Sequence, residues 1–536
     1  MSTLSHRIIN LTVFVALTMI ATAADLTVRP GPSAIAQAID RAAEGDVLIL
    51  QPGVYREHVR IEKRVTLRAM PGAIVDGAEE LRADWKTEGD GVFTASQKSR
   101  PEGLLVDGRF IAEVRFDRAQ TKGEWHWRTL LTRGPPLSGF TQIRALWMYH
   151  PQEQRIYVRF ENGASPENRA MALISSSEAL FTIAKASGVV VEGVTFAHGA
   201  TAVAITDGAV DAVVRRCKVT SFEGTGIVLT DGAARCTVEE CTITRGAFEE
   251  WQPSAEHSRP NYEIWRIHKD VGRYDRVGIE VIRAGAGNKI LRNKLDRTFD
   301  GICLGDYKTE SLDKPLTDPA HGRGTEIAEN VIESTRDSGI ELGVGCTDVN
   351  VHHNVLRRTH GGLRFKVPRI GPVFIHHNRL IDGAPFNIWF SMDASPAEGY
   401  VYHNTIVGGT TAAVVFSSFN AKRDFGAPKW HFLNNLVLSK EGFFDGYRNT
   451  PTPDFTATHN VVTGARMPWP GDKSRDVGSR YEVSIQHDAD GKPAHGSAAA
   501  NAGLDASTYF HGKPLPGCER GYFKGKAPDA GADEVE

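Results

Sequence analysis

Seven asparagines recur in one local setting, and no other feature constrains the fold of this chain as tightly. Six stand in Ile290–Leu295 (ILRNKL), Glu326–Ile332 (EIAENVI), Asn350–Leu356 (NVHHNVL), Phe374–Leu380 (FIHHNRL), Tyr400–Ile406 (YVYHNTI) and His431–Val437 (HFLNNLV). They are Asn293, Asn330, Asn354, Asn378, Asn404 and Asn435, and Asn460 follows. The steps between them are 37, 24, 24, 26, 31 and 25 residues, a unit near 24 with insertions. A second strand repeats ahead of the asparagines: GIEV (Gly278–Val281), GICL (Gly301–Leu304), GIEL (Gly339–Leu342), GLRF (Gly362–Phe365), NIWF (Asn387–Phe390) and AVVF (Ala413–Phe416). Strand-like units at a fixed period are the signature of a solenoid, in which each coil buries its apolar face against the next. The expected fold is therefore all-β, a parallel β-solenoid.

Side chains alternate across a strand, so parity separates core from surface. Val281, Leu304, Leu342, Phe365, Phe390 and Phe416 share one face and form an apolar column that belongs inside. The asparagines are expected at an inward bend, their amides bonding to the coils above and below and satisfying backbone groups that a turn leaves unpaired. The residue between the two inward positions must face out. Down the stack this row reads Ala204, Val228, Glu280, Cys303, Glu341, Arg364, Trp389 and Val415. Charged and aromatic residues concentrate in its centre, and Lys366 shares the parity of Arg364.

The register breaks in three places. Asp84 to Ala184 carries alternating strands with Trp125, Trp127 and Trp147, and is expected to form an inserted β-rich subdomain. Two further interruptions, Arg245–Asp275 and Asp306–Gly324, leave the stack near the same strand and should wall one face of it. Long loops in a compact repeat usually carry function. Ahead of the repeats, Ala34–Ala43 has helical spacing with Ser33 as N-cap, suited to covering the first open edge. The polar, Gly/Pro-rich end is expected to cover the last coil. The domain reading is thus 1–23 signal peptide, 24–83 cap and first coils, 84–184 insertion, 185–465 solenoid core and 466–536 C-terminal cap.

At the N-terminus, His6 and Arg7 precede the apolar run Ile8–Ile20 and the small residues Ala21-Thr22-Ala23, the pattern of a secretory signal. A secreted or periplasmic protein is expected, with no membrane span, because no other apolar run is long enough. The formal net charge of −3 gives no electrostatic reason for a nucleic-acid partner. Six cysteines in 536 residues make no dense disulfide framework and no metal-binding CxxC. Cys217 and Cys241, one repeat apart, should stack either as a disulfide or as two buried thiols.

The segment GDVLILQPGVYRE followed by VTLRA resembles the opening of right-handed parallel β-helix proteins of the pectate-lyase-like superfamily. The resemblance implies a secreted carbohydrate-active protein but not one reaction, because that superfamily includes lyases, hydrolases, epimerases, esterases and adhesins.

The outward row suggests three functions. In the first, a glycoside hydrolase, Glu280 and Glu341 are paired carboxylates two coils apart, ~9–10 Å at Cα. That spacing suits an acid that protonates the leaving oxygen and a base that activates water. Arg364 and Lys366 would orient the sugar or keep one glutamate ionised, and Asp306 is the reserve carboxylate. Trp389, Trp265, Tyr262 and His257 would bind a polysaccharide or oligosaccharide. The second function is a polysaccharide lyase acting on uronates. The coil layout resembles the alginate lyase and chondroitinase B family, and Lys366 falls where that family carries an arginine. Its catalytic lysine would align near Gly345, beside Cys346, so Lys308 or His360 would have to substitute. Glu280 and Glu341 would then hold Ca²⁺; the hydrolase needs no cofactor. The third is a non-catalytic glycan-binding or surface protein. His353, His377, His403 and His459, each directly before an asparagine, read as a stacked surface row rather than a zinc site, because one ion reaches two such rings more readily than three.

Overall fold

The computed structural model describes residues 23–117, 123, 126–133, 145–245, 276–305, 321–343, 347–366, 371–383, 385–391, 398–417, 429–446, 454–465 and 476–534. Among the described residues, three long parallel sheets of 14, 11 and 12 strands run along the chain, and a complete coil contributes one strand to each. Val331–Glu333, Ile340–Leu342 and Val349–His352 form one such coil. Each of the three pairs in parallel with its counterpart in the next coil.

The expected core column is present. Val281, Leu304, Leu342, Phe365, Phe390 and Phe416 stand in register on successive strands of the 11-stranded sheet. The rings of Phe365, Phe390 and Phe416 stack at 4.5 and 4.7 Å, and Trp430 packs edge-on against the first two.

All seven asparagines are buried. The backbone N–H of Asn330 donates to Oδ1 of Asn354 at 3.0 Å, and Asn354 Nδ2 donates to the carbonyl of Ile327 at 2.8 Å. This exchange repeats coil by coil from Asn293, whose Oδ1 accepts from Cys241 N–H, to Asn460, which donates to Ser479 Oγ. The residue before each asparagine, from Arg292 to His459, is left-handed, with φ between 50° and 59°. Side chains pay for that conformation with roughly 1 kcal/mol each, and the amide bonds across the bend hold it in place.

At the N-terminal end the helix spans Ala34–Arg41. Ser33 is left-handed and makes no side-chain cap; instead the Glu57 carboxylate accepts the N–H groups of Ile35 and Ala36 at 2.9 and 3.1 Å. An acceptor from the next coil thus replaces the expected local one. The segment carrying the secretory pattern lies outside the described residues, apart from its last position. Among the described residues no helix is long and apolar enough to cross a membrane.

Between Ala78 and Ile174 the chain leaves the stack and builds a four-stranded and a five-stranded sheet of its own. Trp127 and Trp147 lie in the two hydrophobic cores of that unit, so these tryptophans are structural. Ala179–Ala184 is already a coil strand, bridging Val59–Ile61 to Thr201–Thr206.

The C-terminal segment begins on the last coil, where Asp476–Val477 pairs with Asp454–Thr458 and Tyr481 packs against the solenoid core. It then runs back along the flank of the stack. Leu515 and Cys518 cover Phe374, Tyr400 and Tyr402, and Ala499, Ala502 and Ala530 cover Leu436, Leu438 and Val461. Those outward apolar columns would otherwise face water. Cys217 and Cys241 are buried free thiols.

Candidate active site

The register aligns Glu280 with Cys303, Cys303 with Glu341, Glu341 with Arg364 and Arg364 with Trp389, on five consecutive strands of the 11-stranded sheet. All five point away from the apolar column. The row nevertheless differs from a solvated sheet face: Cys303, Glu341, Arg364 and Lys366 are only 5–9% exposed.

Burial forces the charges to pair. Lys366 Nζ lies 2.7 Å from Glu341 Oε1, and Arg364 Nη1 lies 3.6 Å from Glu341 Oε2. Burial pulls the Lys366 ammonium toward neutrality, but the Glu341 carboxylate outweighs it and holds the pKa above the usual lysine value. Lys366 is therefore a fixed cation. Ser338 Oγ donates to Glu341 Oε2 at 3.1 Å. Arg364 also binds Asp337 Oδ1 at 3.0 Å, and its guanidinium lies 3.9 Å from the centre of the Trp389 ring. Trp389 stacks in turn on Phe386 at 4.5 Å, and His360 meets Phe386 edge-on.

Glu280 is half-buried and accepts a 3.3 Å bond from Thr225 Oγ1. Between the two glutamates, burial first, then the carboxylates of Asp300, Glu341 and Glu280, push the Cys303 thiol well above its ordinary range. A thiol so held is protonated and a poor nucleophile.

Three residues of the cluster escape a parity reading of the strands. Asp300 Oδ1 accepts the backbone N–H of Ser338 at 2.8 Å, which fixes the turn that places Ser338 and Asp337. A signal for them exists in the aspartates that precede the glycine of consecutive coils, in FDG and RDSG. Asp306, Lys308, His257, Tyr262 and Trp265 lie outside the described residues.

The histidines form two stacked columns rather than one. His353, His377 and His403 stack at 5.0 and 5.1 Å, and beside them His352, His376 and Tyr402 stack at 5.0 and 4.8 Å. Nδ1 atoms of neighbouring rings meet at 2.9 Å in the His352–His353 pair and 2.8 Å in the His376–His377 pair. His459 is separated from the row by Asn434, whose Nδ2 bonds to His403 Nε2. Among the described residues no group of three or more His, Cys, Asp or Glu side chains is arranged to hold a metal ion.

Residues 174–410 match the family model described as right handed beta helix region. No curated protein sequence matches the chain. Among solved structures, XylC in complex with xylose is similar at 13% identity over 85% of this chain and 86% of that one, with a TM-score of 0.49. An alginate lyase from Paenibacillus sp. is similar at 10% identity over 80% and 97%, TM-score 0.36. The catalytic unit of a GH87 alpha-1,3-glucanase from Streptomyces thermodiastaticus is similar at 12% identity over 80% and 71%, TM-score 0.38. The coil-by-coil parallel pairing, with the family match over residues 174–410, gives this chain the right-handed parallel β-helix fold.

Proposed function

We propose that this protein is a secreted polysaccharide-degrading enzyme, a glycoside hydrolase in which Glu280 and Glu341 flank the scissile bond. The observation that carries the reading is the register Glu280–Cys303–Glu341, which sets two outward carboxylates two strand spacings apart, ~9–10 Å at Cα. Their bonding partners differ, and the roles are assigned on that difference. Glu341, bound by Lys366, Arg364 and Ser338, serves as the base that activates water. Glu280, with a hydroxyl neighbour, is the acid that protonates the leaving oxygen. Carboxyl groups ~6.5–9.5 Å apart leave room for that water and predict inversion at the anomeric carbon.

Two features weigh against a lyase built on the same residues. Lys366 is held as an ammonium and so is poorly placed to take a sugar proton. Each oxygen of Glu341 faces a cation, whereas Ca²⁺ needs six to eight free oxygen ligands.

The test is incubation of the purified protein with panels of neutral and uronate-rich polysaccharides. New reducing ends without ultraviolet absorbance from an unsaturated uronate support the hydrolase. Unsaturated products replace it with a lyase, and the absence of both across the panel leaves a glycan-binding protein.

A further inference from the structure

The row that carries Glu280 continues toward the N-terminal coils. Val228, Ala204, Thr182 and Arg60 follow it in register on the same outward face. Thr206 and Thr230 form a parallel row two residues on. Together these strands floor an open cavity of about 400 Å³, ending directly beside the Glu280 strand. This volume is within the range of small-molecule sites.

We propose that this trough binds the uncleaved part of the substrate as a neutral-sugar chain laid along the coil axis, with about one sugar to each coil. The inference rests on the hydrolase reading for its direction, since it places the scissile bond at the Glu280 end. Three features define the occupant. Strands repeat every ~4.8 Å, close to the advance of one pyranose in an extended chain, so successive coils meet successive sugars in equivalent ways. The floor mixes methyl and hydroxyl groups, from Thr182, Ala204 and Val228 in one row and Thr206 and Thr230 beside them, which suits the apolar faces and hydroxyl rims of neutral sugars. Of the two basic side chains in the lining, His58 has its Nδ1 3.1 Å from the Ala179 carbonyl. Arg60 is already bound to Glu62 at 2.7 Å and Asp207 at 2.9 Å, and Glu178 adds a negative charge at the rim. A polyuronate laid here would desolvate its carboxylates without compensation.

The experiment measures calorimetric binding of hexamers of β-1,4-linked glucose, xylose and mannose, and of galacturonate and mannuronate hexamers. Wild-type protein is compared with Ala204→Trp, which fills the trough from a half-buried outward position, and with Thr206→Arg, which adds a cation at its edge. At least one neutral hexamer should bind more tightly than either uronate hexamer, and Ala204→Trp should weaken it tenfold or more. Thr206→Arg should improve uronate binding relative to neutral. Circular dichroism of each variant separates loss of fold from loss of the trough. Tighter binding of a uronate hexamer, no binding of any neutral hexamer, or neutral binding unchanged in a folded Ala204→Trp variant overturns the proposal. Release of reducing ends is read separately. Neutral binding lost in Ala204→Trp without cleavage by wild type keeps the trough and removes the hydrolase. Cleavage by both proteins with equal binding keeps the hydrolase and removes the trough.

Discussion

Lys366 and Glu341 form a 2.7 Å ion pair on the outward face of the 11-stranded sheet, where both are almost fully buried. Paired charges out of water cost desolvation that only good geometry repays, and removing one partner strands the other. Lys366→Met should therefore destabilise the protein by about 3–5 kcal/mol, read from urea unfolding at pH 7. The folded pKa of Lys366 is raised, so the pair's contribution is complete below the ordinary lysine pKa, ~10.4. It is lost only as pH climbs through the higher folded value. Unfolding should therefore show no loss from this pair between pH 8 and ~10, and a loss that begins only above ~10.4 in wild type and is absent in Lys366→Met.

Glu223 makes a second buried cluster. Its carboxylate binds Arg245 at 2.8 Å and also Arg276, the residues on either side of the 246–275 insertion. Glu223→Ala leaves two buried guanidiniums without their shared anion and should cost about 3–5 kcal/mol. Glu223→Gln should cost less, since an amide oxygen can still accept. Thermal unfolding of both variants checks the order.

The histidine columns predict an acid-sensitive flank. Burial holds His403 down to about 4 and His377 to about 2, while His376 is likewise well below its ordinary value. An unfolded histidine titrates near 6.5, so between pH ~6.5 and ~4 the unfolded chain binds protons that the folded chain refuses. Stability should fall across that window as pH drops, by about 3 kcal/mol from His403 alone. His403→Phe keeps the stacking and should flatten part of the slope. A pH series of urea midpoints on both proteins measures it.

Removing one amide from the asparagine row tests what holds the coils together. Asn354→Leu deprives Asn330 N–H and the Ile327 carbonyl of their partners in a buried bend. Each orphaned group costs ~1–3 kcal/mol; Asn460→Leu deprives Asn435 N–H and the Phe432 carbonyl in the same way and should cost a similar amount, read from urea unfolding of both variants.

The two kinds of residue in the site explain what was legible in the sequence. Glu280, Cys303, Glu341, Arg364 and Trp389 could be aligned because they lie inside strands, where a period of two and a repeat near 24 fix both face and neighbour. Asp337 and Ser338 lie in the turn before the strand, and Asp300 opens its strand ahead of the glycine. A parity reading of the GIxL units does not reach them. The burial of the charged row is not readable from strand parity, because exposure depends on what packs over a face. The histidine row was half seen: His353, His377 and His403 share a slot before the asparagines, while His352, His376 and Tyr402 stack beside them from the preceding strand position. The N-cap of the first helix was misplaced because Glu57 comes from a different coil.

The most direct test of the catalytic assignment is the turnover of Glu341→Gln and Glu280→Gln on whichever polysaccharide the wild type cleaves. Each replaces an ionisable carboxyl by an amide of the same shape, and loss of a general acid or base costs roughly 10²–10⁴-fold in rate. The account predicts a fall of that size in kcat for both variants, with KM little changed, fold intact by circular dichroism, and a wild-type product of inverted anomeric configuration. Full turnover by a folded Glu341→Gln variant would contradict it.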